Sequence, residues 1–476
     1  MSDQLVVGFD LDMTLINTVT GFAATLDALG AELGVEFPTA EMTGKLGPPL
    51  EMLLEPHLAS DRIVAAADRF REIYPHYAVE PTPAFPGVAE ALAAVRRHAG
   101  RIVLVTGKHT PNAQLHVDHL GLDVDVVEGR VWGHGKGEVL RRHDADVYVG
   151  DHVHDVEGAQ AAGITSVSVL TGGCTREELE EAGTDVVLGD LSQFPDWFDG
   201  FVLERRLALL EELLRGHERL MVAFSGGADS AFLLAAAVRA LGADNVAAAT
   251  AYSDSLPLAE RDPAMAFARS LGVEVLTPET SEMDREGYRA NEGDRCAFCK
   301  AELLDVLGPL ADEHGYGTVA TGTNADDARA GFRPGIAAAS DRGAVTPLLD
   351  AGLTKDQVRA ASLAWELPTW DKPAAACLSS RIAFGIEITP ARLARVEQAE
   401  AALRGALTDA GHDVVNVRVR DLGEGARVEV DRHLVGVAAE HVDVVRAAGF
   451  TEVEVDPLGF RSGSMNDLLP DPDKYR

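Results

Sequence analysis

Short apolar runs, each ending in a polar or glycine-rich turn, most strongly limit the folds open to this chain. Such runs lie at residues 5–9, 102–105, 147–149 and 220–224. Runs of this length bounded by turn residues are typical of strands buried in a parallel sheet that has helices on both faces. The chain is therefore predicted to be an α/β protein.

The length of 476 residues exceeds what one hydrophobic core supports, so we expect more than one domain. Residues 18–82 break the strand–helix alternation with helical patterning, which predicts a helical cap inserted after the first strand. A weakly patterned stretch at 190–196 precedes a helix predicted at 204–214. We place the domains at residues 1–197, 198–385 and 386–476, the last a small α+β subdomain for substrate binding or oligomerisation.

Charge and composition restrict the partners. Hydrophobic residues make up 46% and charged residues 25% of the chain, as in ordinary globular proteins. No apolar run approaches the roughly 20 residues that span a bilayer, and no signal peptide is recognisable, so we expect a cytoplasmic protein without membrane contact. The formal net charge of −34 opposes binding to a phosphate backbone. We therefore expect a small-molecule substrate and no nucleic acid. We also expect a homo-oligomer.

Carboxylates follow two of the predicted strands. Asp10 and Asp12 come directly after the first strand, and Asp151 and Asp155 follow the strand at 147–149. The carboxyl edge of an open α/β sheet is where ligands bind. Of two carboxylates spaced i and i+2, one can act as nucleophile and the other as general acid/base, with Mg²⁺ offsetting the anionic charge.

Thr106, after a third strand, and Lys136 are suited to bind phosphoryl oxygens. A lone D-x-D after a strand is also found as a helix-capping turn, but four elements in order favour a phosphoryl-transfer site. The pattern resembles the haloacid dehalogenase superfamily of phosphatases over residues 1–195. This resemblance implies a Rossmann-like parallel sheet and a helical cap of the phosphoglycolate-phosphatase type. It also implies a role for each motif residue: Asp10 as nucleophile, Asp12 as acid/base, Thr106 and Lys136 at the phosphoryl group, and Asp10, Asp12, Asp151 and Asp155 at Mg²⁺.

A glycine loop at 225–230 follows the strand at 220–224 and opens a second helix. Glycines let the backbone approach phosphate, and amides at a helix N-terminus favour an anion. The loop lacks the Walker pattern. Its S-G-G-x-D-S sequence resembles the PP-loop of enzymes that adenylate a substrate and release pyrophosphate, with a second element at 322–327. The resemblance implies an adenine nucleotide alpha hydrolase-like domain and these ATP-binding residues: Ser225, Gly226, Gly227, Asp229, Ser230, Gly322, Asn324 and Asp326.

Three of the four cysteines are spaced for chemistry, whereas Cys174 is taken as an ordinary residue. Cys296 and Cys299 form C-x-x-C, and Cys377 adds a third thiol. Neighbouring Arg and Lys side chains are expected to favour thiolates. Zinc usually wants a fourth Cys or His, whereas three soft thiolates with one open position suit a [4Fe–4S] cluster.

Residues 201–470 resemble the LarE family of ATP-dependent sulfur transferases, which make the nickel-pincer nucleotide cofactor. The resemblance implies adenylation of a pyridinium dicarboxylate mononucleotide and then sulfur delivery. Cys377 matches a cysteine that gives up its own sulfur in one branch and, together with C-x-x-C, holds a cluster in another. Ser380, Arg381, Arg418 and Arg420 are taken as substrate-binding, although exposed strand charges remain an alternative for the last two, as for Arg427. The stretches that carry the resemblance are 321–327, 333–335, 347–349, 367–373 and 376–381.

Other functions stay open at this point. A tRNA-thiolating PP-loop enzyme, an ammonia-using carbon–nitrogen ligase and a nucleotide-binding scaffold without activity all accommodate parts of the pattern. The substrate of the attached phosphatase is hypothesised to be pyrophosphate or a phosphorylated pathway intermediate.

Overall fold

The computed structural model of the protein describes residues 4–44, 46–329, 334–373, 377–461 and 465. Arg333 and Ala376, which belong to two of the stretches named above, lie outside the described residues. The chain divides into two units, Met1–Val202 and Leu203–Arg476. No helix among the described residues is long and apolar enough to cross a bilayer.

The first unit is built on a six-stranded sheet in which every neighbouring pair is parallel, in the order β3-β2-β1-β4-β5-β6. The predicted α/β class is confirmed here. Residues of β1 are all buried, as expected for a strand covered on both faces. The strands are β1 Val6–Phe9, β2 Arg101–Val105, β3 Val126–Glu128, β4 Val147–Gly150, β5 Thr165–Val169 and β6 Val186–Leu188.

The first four of the five helices between β1 and β2 have a hydrophobic cluster of their own, which includes Phe22, Leu26 and Phe70. This is the segment that the sequence predicts as a cap. Helices in the rest of the unit cover the sheet. The cap helices are α1 Val19–Leu33, α2 Thr39–Thr43, α3 Leu50–Leu54 and α4 Ser60–Tyr77. The others are α5 Val88–Arg97, α6 Thr110–Leu120, α7 His134–Arg142, α8 Val153–Ala162, α9 Arg176–Glu181 and α10 Phe194–Arg215, with a 3-10 turn at Leu191–Gln193.

Helix α10 begins ten residues earlier than the predicted start at Glu204. Pro195 lies in its first turn, where proline is tolerated because that amide has no helical partner. Phe194, Phe198 and Val202 of this helix belong to the core of the first unit, whereas Leu210 and Leu214 belong to a core of the second.

The second unit contains a four-stranded parallel sheet in the order β10-β7-β8-β9. Helix α11 follows β7 and is buried along most of its length, from Ser230 to Ala237. The strands are β7 Leu220–Ala223, β8 Val246–Ala249, β9 Glu274–Leu276 and β10 Val319–Thr321. The helices are α11 Ala228–Leu241, α12 Leu258–Ser270, α13 Glu286–Ala290, α14 Arg295–Glu313, α15 Ala325–Arg329, α16 Pro334–Ser340, α17 Pro347–Asp350 and α18 Lys355–Ala364, with 3-10 turns at Ala243–Asn245 and Glu282–Asp284.

The C-terminal part of this unit has a separate three-stranded sheet in the order β11-β12-β13, antiparallel in its first pair and parallel in its second. Val417 and Val419 of β11 lie in a hydrophobic cluster with the long helix α19, so Arg418 and Arg420 point to the opposite face. The strands are β11 Val417–Asp421, β12 Gly425–Val430 and β13 Glu452–Val455. The helices are α19 Pro390–Asp409, α20 Val435–Glu440 and α21 Val442–Ala447, with 3-10 turns at Leu378–Arg381 and Arg432–Leu434.

Candidate active sites

The predicted phosphoryl-transfer residues of the first unit meet at one edge of its sheet. Asp10 follows β1, Thr106 follows β2 and Asp151 follows β4, and these three strands are neighbours. Because parallel strands end at the same edge, the three side chains come together there. All three line one cavity, as do the other sequence-predicted residues of this unit, Asp12, Lys136 and Asp155.

Three carboxylates converge in this cavity. Asp10, Asp151 and Asp155 are buried, and one oxygen of each lies within 4.8 Å of the others. Asp155 lies in the first turn of α8, where its Oδ2 accepts hydrogen bonds of 3.1 Å from the amides of Asp151 and His152. Thr14 donates a 2.8 Å hydrogen bond to Asp151. Backbone and hydroxyl donors thus fix the two carboxylates of this strand end.

The backbone of Gly172 lies directly against the Asp151 carboxylate. A Cβ on Gly172 would overlap Oδ2 and the carboxyl carbon of Asp151. Only a residue without a side chain permits this close approach of backbone to carboxylate.

Lys136 neutralises part of the carboxylate charge. Its ammonium group donates to Asp10 at 3.0 Å, to Tyr148 at 2.9 Å and to Asp155 at 2.5 Å. Burial opposes its charge, but Asp10 and Asp155 outweigh burial and raise the pKa of Lys136 well above its usual value. Burial raises the pKa of Asp10 to about 7, against the lowering effect of Lys136.

The donor set fits a hard divalent cation. When ionised, these three carboxylates together with one ammonium carry two net negative charges in a buried cavity, which is costly without a counter-ion. Carboxylate oxygens are the ligands that Mg²⁺ prefers. The residues present therefore fit the magnesium ion that the sequence predicts.

Asp12 does not join this carboxylate group. Its Oδ1 accepts a 2.6 Å hydrogen bond from Lys108, whose ammonium also lies 4.6 Å from the ring centre of Tyr74. Lys108 was not predicted as a site residue from the sequence. Its position two residues after Thr106 places it close to the end of β2, where site residues are expected. Met13, which stands where glycine is common, adopts the left-handed backbone conformation with φ of 61°, so the turn after β1 has the geometry that favours glycine.

The glycine loop of the second unit lies between β7 and α11. Gly226 has a φ of 72°, and a Cβ there would lie 2.6 Å from Cβ of Ala264. The loop is closed by its two serines, whose hydroxyl oxygens are 3.1 Å apart, and the Ser225 amide donates to the Ser230 hydroxyl at 3.3 Å. Lys372 donates to the Gly226 carbonyl at 2.9 Å. The loop therefore has a defined shape.

This loop lines a cavity of about 390 Å³, a size usual for small-molecule sites. Of the predicted nucleotide-binding residues, the following line it: Ser225, Gly227, Asp229, Ser230 and Gly322. Gly226, Asn324 and Asp326 are not among the residues that line it. Asn324 is fully buried and its Oδ1 accepts from the amides of Asp326 and Asp327, and Asp326 accepts from the Lys355 amide at 2.8 Å.

Two of the three predicted sulfur ligands, Cys299 and Cys377, line the same cavity. Cys296 is exposed, one turn earlier on α14. Among the described residues, the only group of three or more His, Cys, Asp and Glu side chains with all ligand atoms within 4.8 Å is the carboxylate group of the first unit. Three thiolates on one ion would lie closer than this. The cysteines therefore do not fit a single-ion site, whereas a cluster places each thiolate on a different iron.

The expectation that neighbouring cations favour thiolates is wrong for Cys299. Burial raises the pKa of its thiol, and Cys377, Glu282 and Cys296 raise it further. The cationic side chains next to the cysteines in sequence are Arg295, Lys300 and Arg381. Two of them bind other residues: Arg295 donates to Asn291, and Arg381 pairs with Glu400 at 3.0 Å. The third, Lys300, lines the cavity, and burial lowers its pKa, so it offsets the effect on Cys299 only in part.

A buried carboxylate that the sequence did not reveal anchors the Cys377 segment. Glu282 accepts hydrogen bonds of 2.9 Å from both Ser255 and Thr280 and lines the cavity. The Ser255 carbonyl in turn accepts from the Leu378 amide at 2.9 Å, directly after Cys377. No local motif marks Glu282, because its partners lie on other segments.

The four predicted substrate-binding residues lie beside this segment and outside the cavity lining. Arg381 donates to the Cys377 carbonyl at 2.8 Å, and Arg420 donates to Glu429 at 2.7 Å and to the Ser380 carbonyl at 3.3 Å. Burial and then the charge of Arg381 lower the pKa of Arg418 to about 10. The arginines therefore form a buried, electropositive group. Arg427 instead pairs with Glu454.

Comparisons with known proteins find similarity to two kinds of protein. Residues 7–169 match the haloacid dehalogenase-like hydrolase family. The Streptococcus pneumoniae haloacid dehalogenase-like family protein SP0104 has a solved structure that is 23% identical, covering 42% of this chain and 100% of that chain with a TM-score of 0.38.

Two relatives match over lengths close to that of the second unit. An uncharacterized Synechocystis protein, slr1717, is 40% identical over 274 residues, 56% of this chain and 99% of that protein. The pyridinium-3,5-bisthiocarboxylic acid mononucleotide synthase of Lactiplantibacillus plantarum is 34% identical over 271 residues, 56% of this chain and 96% of the synthase. The chain therefore belongs to the family of that synthase, and it carries a haloacid dehalogenase-like hydrolase domain at its N-terminus.

Proposed function

We propose that the chain is a bifunctional enzyme whose second unit uses ATP to transfer sulfur to a pyridinium dicarboxylate mononucleotide, and whose first unit is a Mg²⁺-dependent phosphatase. The sulfur-transfer part of this proposal is based on the similarity to the L. plantarum synthase. The phosphatase part follows the hydrolase match and the carboxylate cavity.

The observation that carries the sulfur-transfer proposal is the cavity shared by the glycine loop and two cysteines. Ser225 and Ser230 line it together with Cys299 and Cys377. A carboxylate adenylated by ATP held on the loop would then lie within the same cavity as the thiols, so activation and sulfur delivery need no transfer between sites. A carbon–nitrogen ligase has no use for these thiols.

Loop and helix geometry would serve the adenylation step. Amides at the N-terminus of α11 face the loop and can hold the pyrophosphate portion of ATP. The substrate carboxylate attacks the α-phosphorus, the bond to the β-phosphate breaks, and pyrophosphate leaves. Asp229 lines the cavity, and burial raises its pKa, so a cation at the phosphates would stabilise its ionised form.

Sulfur delivery has two candidate sources. In one route the Cys377 sulfur attacks the activated carboxylate and AMP leaves; the Cα proton of Cys377 is then lost, its Cβ–Sγ bond breaks, and the thiocarboxylate departs from a dehydroalanine. In the other route Cys296, Cys299 and Cys377 would hold a [4Fe–4S] cluster, which would supply sulfide. We favour the cluster, because Cys377 and Cys296 both raise the pKa of Cys299, as thiols gathered in one region do. Ligation would convert these thiols to thiolates.

In the phosphatase, Asp10 is the proposed nucleophile and Asp12 the acid/base. Lys136 and Thr106 would hold the phosphoryl oxygens, and Asp10, Asp151 and Asp155 would hold Mg²⁺, which would supply positive charge against the anionic substrate. Lys136 keeps the Asp10 carboxylate oriented through its 3.0 Å hydrogen bond.

The test of sulfur transfer measures two products from the full chain, purified without oxygen. AMP is quantified by chromatography and thiocarboxylate by mass spectrometry, with ATP and either the mononucleotide or bulk tRNA. We expect both products with the mononucleotide only, and loss of AMP in Asp229→Ala. AMP formation that requires tRNA would establish a tRNA-modifying enzyme instead.

A further inference from the structure

The cavity of the phosphatase unit is small. It measures about 130 Å³, a third of the 390 Å³ cavity of the second unit. A cavity of about 150 Å³ holds one benzene molecule. The space beside Asp10 therefore suits a leaving group of a few non-hydrogen atoms.

Two buried cations line this cavity. Lys136 contacts Asp10, and Lys108 contacts Asp12 at 2.6 Å with only 9% of its side chain exposed. Burial opposes the charge of Lys108, but Asp12 and Tyr74 raise the pKa of Lys108 above its usual value, so it is an ammonium ion at neutral pH. One cation thus stands at each carboxylate of the Asp10–Asp12 pair. This arrangement matches a substrate with two anionic groups.

Two further side chains offer polar atoms with no partner among the described residues. They are Thr18 Oγ1 and Trp132 Nε1, both on residues that line this cavity. Buried polar atoms are nearly always hydrogen-bonded, so these two donors favour a ligand that offers oxygen acceptors.

We infer that the first unit hydrolyses inorganic pyrophosphate, with the transferred phosphoryl group at Asp10 and Lys136 and the leaving phosphate at Lys108. The inference rests on the proposed function, because adenylation in the second unit releases pyrophosphate. The chemistry that the cavity recognises is a phosphoryl group on a small, oxygen-rich leaving group that bears a second negative charge. Phosphate monoesters that also carry a carboxylate share this chemistry, and the experiment below distinguishes them from pyrophosphate.

The reaction balances without a further reactant. An Asp10 carboxylate oxygen attacks one phosphorus, the bridging P–O bond breaks, and the bridging oxygen leaves on the second phosphate, whose charge Lys108 stabilises. Water then attacks the aspartyl phosphate, and the Asp10–phosphorus bond breaks. The phosphate formed from the transferred phosphoryl group departs, and the proton released from water passes to Asp12 and then to solvent.

The experiment uses the full chain with Mg²⁺ and measures phosphate release from four compounds. These are pyrophosphate, phosphoglycolate, ethyl phosphate and a pyridine mononucleotide. We expect kcat/KM for pyrophosphate to exceed the other three by about tenfold or more, the scale of one charge-assisted contact. Equal or faster hydrolysis of ethyl phosphate or the mononucleotide would overturn the inference. A tenfold preference for phosphoglycolate would overturn the assignment to pyrophosphate.

Variants of Lys108 test the second anion site. Lys108→Met should lower kcat/KM for pyrophosphate about tenfold more than for ethyl phosphate, and Lys108→Arg should restore most of the preference. An equal loss on both substrates in both variants would contradict a role in binding the leaving phosphate. AMP formation is measured on the same samples. Pyrophosphate hydrolysis without any AMP formation would overturn the proposed synthase activity alone, whereas AMP formation without pyrophosphate hydrolysis would overturn this inference alone.

Discussion

Lys136 donates a 3.0 Å hydrogen bond to Oδ1 of Asp10 and a 2.5 Å hydrogen bond to Oδ1 of Asp155. One buried ammonium therefore bridges the proposed nucleophile, at the end of β1, and a proposed magnesium ligand, on α8. The bridge fixes two carboxylates that would otherwise repel each other. It also places a cation where phosphoryl oxygens would arrive.

Asp10→Asn should abolish phosphate release from the full chain, by about a thousandfold or more, because an amide cannot form the aspartyl phosphate. The side chain keeps its shape, so the far-ultraviolet circular dichroism should not change. AMP formation by the second unit should also be unchanged. Asp61→Asn, at an exposed position on α4, is the matched control. An Asp10→Asn protein with near-normal phosphate release would rule out the nucleophile assignment.

Stability without metal should depend on pH through Asp10. Its folded-state pKa of about 7 lies above the ordinary value of 3.8, so the folded protein binds a proton that the unfolded chain lacks between these pH values. The free energy of unfolding should therefore fall as pH rises from about 4 to 7, by at most about 1.4 kcal/mol per pH unit. Mg²⁺ should reverse the trend, because it binds the ionised carboxylates.

Thermal unfolding of the full chain in EDTA and in Mg²⁺, at several pH values, measures this effect. Asp10→Asn isolates it, because the slope that Asp10 contributes should vanish in that variant. A wild-type protein whose stability in EDTA rises with pH over this range, relative to Asp10→Asn, would show that Asp10 is ionised without metal.

The sequence was sufficient to locate residues that directly follow strands. Asp10, Thr106 and Asp151 could be placed at one sheet edge, because strand ends in a parallel sheet share an edge and the strands were recognisable as apolar runs. Lys108 could also be placed at this edge from its position after β2. Its ion pair with Asp12 could not be predicted, because Asp12 follows a different strand and no sequence spacing connects the two residues.

The two candidate mechanisms of the proposed sulfur transfer differ in which cysteines they require, so cysteine variants should distinguish them. If a cluster forms, oxygen-free reconstitution with iron and sulfide should give visible absorbance, and Cys296→Ser, Cys299→Ser and Cys377→Ser should each lower it. Cys174→Ser, in the first unit, is the matched control and should not. Intact mass after turnover should show Cys377 unchanged. Loss of one hydrogen sulfide from Cys377, together with no iron binding, would establish the sacrificial mechanism.

Glu282 should suppress the reactivity of Cys299. Burial is the largest cause of the raised pKa of this thiol and the Glu282 carboxylate adds to it, so Cys299 should alkylate slowly at pH 8. Glu282→Gln removes that charge and should speed alkylation several-fold, measured by peptide mass spectrometry. Glu286→Gln, at an exposed position on α13, is the control. Unchanged alkylation in Glu282→Gln would place the carboxylate too far away to act on the thiol.

Arg418 should contribute to binding of the mononucleotide phosphate. Burial lowers the pKa of Arg418, the charges of Arg381 and Arg420 lower it further, and an anion beside the group would relieve the repulsion between these charges. Arg418→Met should raise KM for the mononucleotide about tenfold or more, with little change in KM for ATP. Arg427→Met, on the same sheet but paired with Glu454, should change neither. Equal effects of the two variants would remove Arg418 from the substrate site.

The second unit shows where sequence-based reasoning ends. The S-G-G-x-D-S loop and C-x-x-C were visible as local patterns, but they do not specify that Cys377 reaches the cavity of the loop across a separation of more than a hundred residues. Nor did they indicate that burial would outweigh the nearby cations at Cys299. Both depend on tertiary packing, which sets distance and desolvation together.

The chain passes from one hydrophobic core to the other inside the continuous helix α10, with Phe198 in the first core and Leu210 in the second. Proteases cut preferentially at exposed, weakly structured loops, and a helix anchored in a core at each end offers them a poor target. A cell that makes this protein would therefore keep the two units at a fixed one-to-one stoichiometry throughout the lifetime of each polypeptide. Regulation of one proposed reaction relative to the other would therefore have to change the turnover rate at one of the sites, because the relative amounts of the two units are fixed.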